Sequence, residues 1–558
     1  MFLRKHSALH ADTLKRKAIV LVCLVCLFAI AFSLLDYRNV RVFTIAGVVN
    51  DLRGPVFLVV YLIVYVLSVV AVIASLCLEN MWLRRTVTVV MVLLSACNLF
   101  MLQTFSEPLS LEHLMIARAA PQATNNFLVT YYKSFLTILA ATGAFYLALG
   151  LVARRALGRA SSWAIALPLV ALCGVFAIVY RTSGSIAGFP SPFVVPSLAT
   201  AAMTQAPLFD GDREQPLRAL LQGKGAGVPV VFMVVDESVG GDYLSVNGFP
   251  KPSTAFLDAH PDLYTNLGIA CSAGNHSILT SLILQAGVQQ FQLPDKNQAG
   301  LKQPNIFQYA KAQGYTTVFA DAQSRPNKYN SFMRRVDFSA IDVYLESPGE
   351  EFMFYERDRR IFDQIEELMR KHDKLFVYFA KAGVHFPYVA AYPADDAKFK
   401  PVMTSNTISS SSPEEILNSY LDGIVYATDK FLERLLPLLD RSRSALVYTG
   451  DHGQSIREIR EAGTHGKVAD PPISQARVPM IVYGKPIEDR VREHKAQLYG
   501  RTTHFQIFPS LMILMGYDPT GVNLAYGKAL WQSYDKPRMF LSGDLFARGR
   551  ATMYPCDR

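Results

Sequence analysis

Five stretches of this chain hold side chains that could do chemistry together. They are VVDES at Val234–Ser238, SAGNHSILT at Ser272–Thr280, a histidine at His385, YTGDHG at Tyr448–Gly453 and a further histidine at His465. VVDES and YTGDHG each close a short apolar run that reads as a buried strand. Carboxylates, imidazoles and a hydroxyl at strand ends are the parts of a metal-dependent phosphoryl or sulfuryl transfer site. Glu237 follows VFMVV, where a carboxylate can take a divalent cation. Asp236 beside it points elsewhere while the backbone stays extended, so one of the two is a direct ligand. Asp451 and His452 offer an oxygen and a nitrogen donor suited to zinc, and Gly453 permits a tight turn around the ion. A lone DHG tripeptide carries little. Here it follows a buried strand, with His465 thirteen residues on. His385 taken alone reads as a structural histidine, but its place after a strand brings it to the same edge. Ser272, Ser277 and Thr280 are the available hydroxyls. The apolar run Ile278–Gln285 reads as a helix, and a serine at its start meets the positive end of the dipole, which favours an alkoxide. Metal coordination would lower the hydroxyl pKa further and make a nucleophile at neutral pH. A plain helix cap is the other use of such a serine.

These parts need a frame that brings strand ends together. Val228–Val235, Thr316–Ala320, Leu375–Phe379, Ala445–Tyr448 and Val478–Tyr483 read as strands buried on both faces. Amphipathic helices Gln303–Gln313, Arg357–Lys371 and Glu414–Leu439 lie between them. The last opens SSSSPEE, with Ser412 as N-cap, Pro413 at the first helical position and two glutamates at the positive end. The alternation predicts an α/β domain with a mostly parallel sheet and helices on both faces. Ligands bind such sheets at the carboxyl ends of the strands. Asp236, Glu237, Asp321, His385, Asp451 and His452 all fall there. Loops 386–412 and 453–475 are long enough to be lids or binding loops, and equally compatible with surface excursions.

Ahead of this domain the composition changes. The chain of 558 residues is 51% hydrophobic, and the excess lies mostly in Ala18–Leu35, Val56–Leu78, Thr86–Leu102, Ser134–Val152 and Trp163–Tyr180. Each is long enough to cross roughly 30 Å of hydrocarbon at about 1.5 Å per residue. Their near lack of internal charge argues against soluble core helices. The length of the first, and the lack of a small-residue cleavage pattern after it, argue against a cleaved signal. Arg4, Lys5, Lys15, Arg16 and Lys17 precede the first span, Arg84 and Arg85 sit in the second loop, and Arg154, Arg155 and Arg159 in the fourth. Arg38, Arg41 and Arg53 blur the pattern. It still puts the N-terminus inside and, after five crossings, the remainder outside. In a bacterium that is a multi-pass inner-membrane protein with a periplasmic domain. The net charge of +9 is in part this topogenic bias, and no basic stripe interleaved with aromatics argues for nucleic acid. Cys23, Cys26, Cys77, Cys97 and Cys173 belong to the apolar spans, so only Cys271 and Cys556 remain for one disulfide in the exported part. The expected division is a five-helix transmembrane domain over 1–180, a linker at the membrane surface over 181–227, a catalytic domain over 228–545 and a tail over 546–558. Leu109–Arg118 is either an interfacial segment or an ordinary loop.

With these motifs together, the chain resembles the membrane-anchored phosphoethanolamine transferases of the alkaline phosphatase/sulfatase superfamily, which modify lipid A and related envelope glycans. The family's VVGE[ST], with its metal-binding Glu, is matched by VVDES, and its DHGES by DHGQS at Asp451–Ser455. Its SCGTxTAxS, whose second threonine is the nucleophile, is matched by Ser272–Thr280, which puts Ser277 in that role with Ser272 next in line. The NHGP-like histidine corresponds to His385 and the LHG histidine to His465. FADAQSRPNK, from Phe319, resembles the WRDNNS region and places Asp321, Gln323 and Lys328 on the acceptor side. The resemblance implies one or two Zn2+ ions, with Mn2+ possible, held by Glu237, Ser277, Asp451 and His452. It implies that His385 and His465 hold phosphoryl oxygens, bind a second metal or protonate the leaving group. It implies phosphatidylethanolamine as phospholipid donor, and lipid A, lipopolysaccharide core or a periplasmic glycan as acceptor. The chain departs from the family at Ser277 for threonine, at Ala273 for a cysteine and at Asp236 for a glycine, and it cannot form the several disulfides of the lipid A enzymes. A hydrolytic sulfatase would need [CS]xPxR, and neither Cys271 (then SAGN) nor Ser277 (then ILTS) opens it. Phosphoglycerol transfer shares the metal set and stays open, as does, in another class, a non-catalytic membrane-anchored binding protein. A transporter is disfavoured because the spans are nearly free of ionisable residues.

Overall fold

The computed structural model describes residues 18–24, 26–27, 55–105, 108–119, 121–182, 184, 188–205, 208–222, 225–323, 331–347, 352–404, 408–459, 463–468 and 470–557. The chain divides into two compact units, Met1–Ala206 and Pro207–Arg558.

In the first unit, four helices among the described residues are long and apolar enough to cross a membrane. They are Pro55–Cys77, Met81–Gln103, Tyr132–Leu157 and Ser162–Arg181. They correspond to the second to fifth expected spans. The first, Ala18–Leu35, lies largely outside the described residues, so the count of five is not established. Large apolar side chains such as Val56, Leu62, Leu147 and Trp163 are exposed on these helices, which suits a hydrocarbon surround. Leu109–Arg118 largely coincides with a helix, Leu111–Ala119. Part of the expected linker is also helical. Ser191–Thr204 buries Phe193, Val194, Leu198 and Ala201 within this unit.

The second unit is built on a seven-stranded sheet in the order β2-β7-β6-β1-β5-β3-β4. The strands are β1 Val230–Asp236, β2 Thr265–Cys271, β3 Thr316–Asp321, β4 Val343–Leu345, β5 Leu375–Lys381, β6 Ser444–Gly450 and β7 Arg477–Tyr483. All five strands expected from the apolar runs are present. β1 pairs in parallel with both β5 and β6, and β3 in parallel with β5 and β4. β7 runs antiparallel to β6, and β2 antiparallel to β7. Two reversals restore the direction, so β2 ends at the same edge as β1, β3, β5 and β6. Alternate residues of β1 face opposite layers. Val231, Met233 and Val235 join the layer of Phe307, Phe508 and Met512, while Phe232 and Val234 join that of Phe362 and Leu432. Such burial on both faces explains why the strand reads as an uninterrupted apolar run.

Arg357–Lys371 is a helix with the expected bounds. The expected helix Glu414–Leu439 runs without a break from Pro413 to Leu438, with a π-helical segment Ile424–Asp429 inside it and a 3-10 turn Leu436–Leu438 at its end. Ser412 caps its start, with Oγ accepting from the Glu415 amide at 3.2 Å.

The last residues, expected as a tail, instead supply β9 (Ala551–Pro555), antiparallel to β8 (Met539–Gly543). Cys556 then bonds to Cys271 at the end of β2, closing a sequence separation of 285 residues. A five-residue strand whose partner is a short hairpin arm gives little signal in sequence. Closing a long loop removes conformational freedom from the unfolded chain, so Cys556→Ser should cost about 2 to 5 kcal/mol of stability. Thermal unfolding of the two proteins measures this, and equal midpoints would show that the bond carries no stability.

Candidate functional site

Because β1 and β6 are neighbours in register, with Asp236 opposite Gly450, the next residues of each strand meet. Glu237 follows β1, while Asp451 and His452 follow β6. Ligand atoms of these three buried residues lie within 4.8 Å of one another. The turn leaving β2 brings Ser277 to them as the first residue of the helix Ser277–Ala286. Its Oγ donates to Glu237 Oε2 at 2.9 Å and lies 3.3 Å from His452 Nε2. The four expected metal ligands therefore converge. The other two hydroxyls stand apart in role. Ser272 is buried and donates to the Gly274 carbonyl at 2.5 Å, and Thr280 is buried one turn into the helix.

The donor set fits a cation on its geometry. His452 Nδ1 lies 2.9 Å from the Gly453 carbonyl. A carbonyl oxygen only accepts, so Nδ1 carries the hydrogen and Nε2 presents its lone pair. That lone pair faces Glu237 Oε1 at 3.2 Å and Asp451 Oδ2 at 3.5 Å. Asp451 Oδ2 is buried with no hydrogen-bond partner, whereas Oδ1 accepts from the amides of Ser238 and His452, both at 2.8 Å. Electron-rich atoms facing one another need a cation or a proton between them.

Without a cation the proton takes that place. Burial opposes charge on His452, but Asp451 and Glu237 push its pKa up to about 9. Burial and the Glu237 charge push Asp451 up to about 7. Burial would raise Glu237 too, yet the hydrogen bond and charge of His452 hold it below the usual carboxylate range. His452 therefore favours its proton up to about pH 9, and a cation must displace it. Zinc uptake near neutral pH should release between about one and two protons, one from His452 and a part from Asp451, with apparent affinity rising as pH rises toward the His452 pKa. Calorimetry in buffers of different ionisation enthalpy measures the release, and heats independent of buffer would contradict it.

Ser238, the last residue of the VVDES motif, orients both carboxylates. Its Oγ donates to Glu237 Oε1 at 2.7 Å and its amide to Asp451 Oδ1. It does so from a left-handed backbone, φ 63°, a conformation costing on the order of 1 kcal/mol that persists only when its surroundings impose it.

The two further histidines adjoin this cluster. The His465 ring centre lies 4.2 Å from that of His452 and 6.1 Å from that of His385. Burial, then the neighbouring His452, pushes the His465 pKa well below its ordinary value, so it is neutral. His385 is exposed and its Nδ1 donates to the Phe386 carbonyl at 2.6 Å. Its turn is fastened to the backbone of Glu237, since Val384 N donates to Glu237 O at 3.0 Å. Gly383 permits this with φ +56°, where a Cβ would sit 2.4 Å from Glu237 O. His276, which no sequence pattern singles out, also acts electrostatically on His465. Gly453 is required by close approach rather than by a special φ, because a Cβ there would lie 2.0 Å from Ser474 O.

Asp321 ends β3, two strands from β1. Its Oδ1 accepts from the Gln323 amide at 2.9 Å, and Gln323 Nε2 donates to Lys381 O at 3.1 Å. Lys328 lies outside the described residues. Asp236 turns away from the cluster, and its Oδ2 accepts from Lys381 Nζ, Thr428 Oγ1 and Tyr448 OH.

Comparison with known proteins agrees with this architecture. Kdo(2)-lipid A phosphoethanolamine 7''-transferase of Escherichia coli strain K12 is 24% identical over 305 residues, 51% of this chain and 51% of that protein. Phosphoethanolamine transferase EptA of the same strain is 32% identical over 155 residues, 26% of this chain and 28% of that one. The chain thus spans about half the length, or less, of these curated relatives. Among solved structures, the integral membrane lipooligosaccharide phosphoethanolamine transferase A from Neisseria meningitidis shares the fold, with a TM-score of 0.57 at 16% identity, over 88% of this chain and 95% of that one. A family model described as Sulfatase matches residues 229–517, a little over half of the chain. That span holds the whole sheet and every residue of the cluster, and the chain belongs to the sulfatase family.

Proposed function

We propose that the protein is a multi-pass bacterial inner-membrane phosphoethanolamine transferase with its catalytic domain in the periplasm. It moves phosphoethanolamine from phosphatidylethanolamine to lipid A, lipopolysaccharide core or a periplasmic glycan through Ser277. The observation that carries this reading is the position of Ser277 Oγ, at a helix start and 2.9 Å from Glu237 Oε2 within a buried carboxylate–imidazole cluster. The names of the sequence relatives support the transferred group.

Glu237, Asp451 and His452, with Ser277 beside them, would hold one or two zinc ions, or manganese, and the ion when bound stabilises negative charge on the nucleophile and phosphoryl oxygens. The residues do the rest. Ser277 Oγ attacks the donor phosphorus and forms the Oγ–P bond as the bond from phosphorus to the diacylglycerol oxygen breaks. The hydroxyl proton is given up to solvent, and the diacylglycerol oxygen takes one up from solvent as it leaves. His465 and His385 would line the phosphoryl oxygens, with exposed His385 exchanging protons with solvent. An acceptor hydroxyl or phosphate then attacks the same phosphorus and restores Ser277. Asp321, Gln323 and Lys328 would face that acceptor. The apolar helices of the first unit keep the reaction where a phospholipid donor is found.

Intact-protein mass spectrometry after incubation with zinc and phosphatidylethanolamine tests the reading. An adduct of phosphoethanolamine mass is expected. No adduct from this lipid, with a glycerophosphate adduct from phosphatidylglycerol, would replace it with phosphoglycerol transfer.

A further inference from the structure

Two segments remote in sequence, the turn that ends in Ser277 and the loop that carries His465, are joined through one residue. Asn275 is fully buried. Its backbone carbonyl accepts from the Gly466 amide at 2.9 Å. Its Nδ2 donates to Lys467 O at 2.9 Å and to Gln475 Oε1 at 3.0 Å, with Ser542 Oγ at 3.4 Å. A flipped amide would set its oxygen against two other oxygens, so the orientation is fixed by its partners. Gln475 extends the link. Its Oε1 also accepts from the Lys467 amide at 3.2 Å, and its Nε2 donates to Ser455 Oγ at 2.9 Å. Ser455 Oγ in turn donates to the carbonyls of Gly463 and Thr464, both at 3.0 Å. The network therefore holds the backbone on both sides of His465, at 463–464 and at 466–467. Its other end is two residues from Ser277. Asn275 Oδ1 is buried without a hydrogen-bond partner, so the Nδ2 end and the backbone carbonyl hold this residue in place.

We infer that Asn275 is a positioning residue that sets the spacing between the Ser277 hydroxyl and the His465 imidazole, so that nucleophile turn and histidine loop act as one body. The inference rests on the roles given above to Ser277 and His465. The brace itself is independent of them, because it consists of hydrogen bonds between segments that any reaction at this cluster would use.

Asn275→Asp tests it. The side chain keeps its size, but an acceptor replaces the donor that faces Lys467 O and Gln475 Oε1. Turnover in phosphoethanolamine transfer by the full-length, zinc-loaded protein should fall roughly ten- to hundredfold, with KM within about threefold and zinc content unchanged. Amide hydrogen exchange over 463–468 should rise at least about tenfold. Ser510→Ala removes a buried 2.7 Å bond to Gln506 O that lies outside the network, and should leave turnover within about twofold. Equal losses in the two variants, or a loss in KM alone, would overturn the inference. If the parent protein transfers nothing, the functional reading fails and exchange alone decides: unchanged protection over 463–468 in Asn275→Asp refutes the brace, and lost protection supports it. If Asn275→Asp does not fold, Gln475→Glu replaces it. That variant loses the donor to Ser455, and the same changes in turnover and exchange support or refute the brace.

Discussion

Replacing Ser277 with alanine is expected to lower transfer turnover by at least about 10³-fold, equivalent to roughly 4 kcal/mol of barrier, while zinc content stays at the parent level. The size follows from the absence of a substitute. Ser272 is buried and hydrogen-bonded to Gly274, and Thr280 is buried within the helix, so neither replaces the lost nucleophile without moving backbone. Zinc retention follows from the three remaining donors, which lie within 4.8 Å of one another without Ser277. The variant should form no phosphoethanolamine adduct in intact-mass spectra. Ser277→Thr should keep adduct formation and much of the turnover, because threonine places a hydroxyl at the same point of the helix start. An adduct on the alanine variant would move the nucleophile to another side chain. Loss of zinc together with activity would make Ser277 a ligand first and leave its nucleophilic role unsupported.

The parts of this site that are legible in sequence share one property: their signal is local. VVFMVVDE, LFVYFAK and ALVYTGDH are apolar runs ended by polar groups, and in a parallel sheet buried on both faces that pattern leaves few other assignments. The cap at Ser412 and the bounds of Arg357–Lys371 are equally local. β2 is hidden because Gly268, at φ +77°, and a register shift between Asn266 and Ile269 break its pattern. Ser191–Thr204 reads as a connector because Pro192 and Pro196 punctuate an otherwise helical apolar stretch. The supporting residues are invisible for a different reason. Ser238 meets Asp451 across 213 positions, and Asn275 meets Lys467 across 192. Nothing near either residue announces such a partner, so composition and periodicity are silent about the groups that orient the cluster.

Lys381→Met is expected to destabilise the second unit by about 3 to 5 kcal/mol at neutral pH, the cost of leaving one member of a buried ion pair alone. Lys381 and Asp236 have side chains with 0% exposure, and Nζ lies 2.8 Å from Asp236 Oδ2. Asp358 Oδ2 is 3.6 Å from the same Nζ. Burial already raises the Asp358 pKa, and Lys381 counters it. Methionine fills a similar volume but leaves two buried carboxylates without their cation, and the Asp358 pKa, which burial already raises, loses the charge that counters it. A raised folded pKa costs stability while the group is ionised and ceases to do so once it is protonated. The deficit against the parent should therefore shrink as pH falls through the raised Asp358 pKa toward the unfolded carboxylate range near about 4. Chemical denaturation at several pH values measures this, and a deficit independent of pH would assign the loss to packing rather than charge. Asp236→Asn combined with Lys381→Met should recover part of the stability, because one of the stranded charges is gone. The effect must reach the site as well. Asp236 precedes Glu237 in the chain, and Asp358 accepts from the amides of Ala382 and Gly383 in the turn that leads to His385. The ion cluster thus ties the strand that leads to Glu237 to the turn that leads to His385, and Lys381→Met should weaken zinc binding even where the protein remains folded.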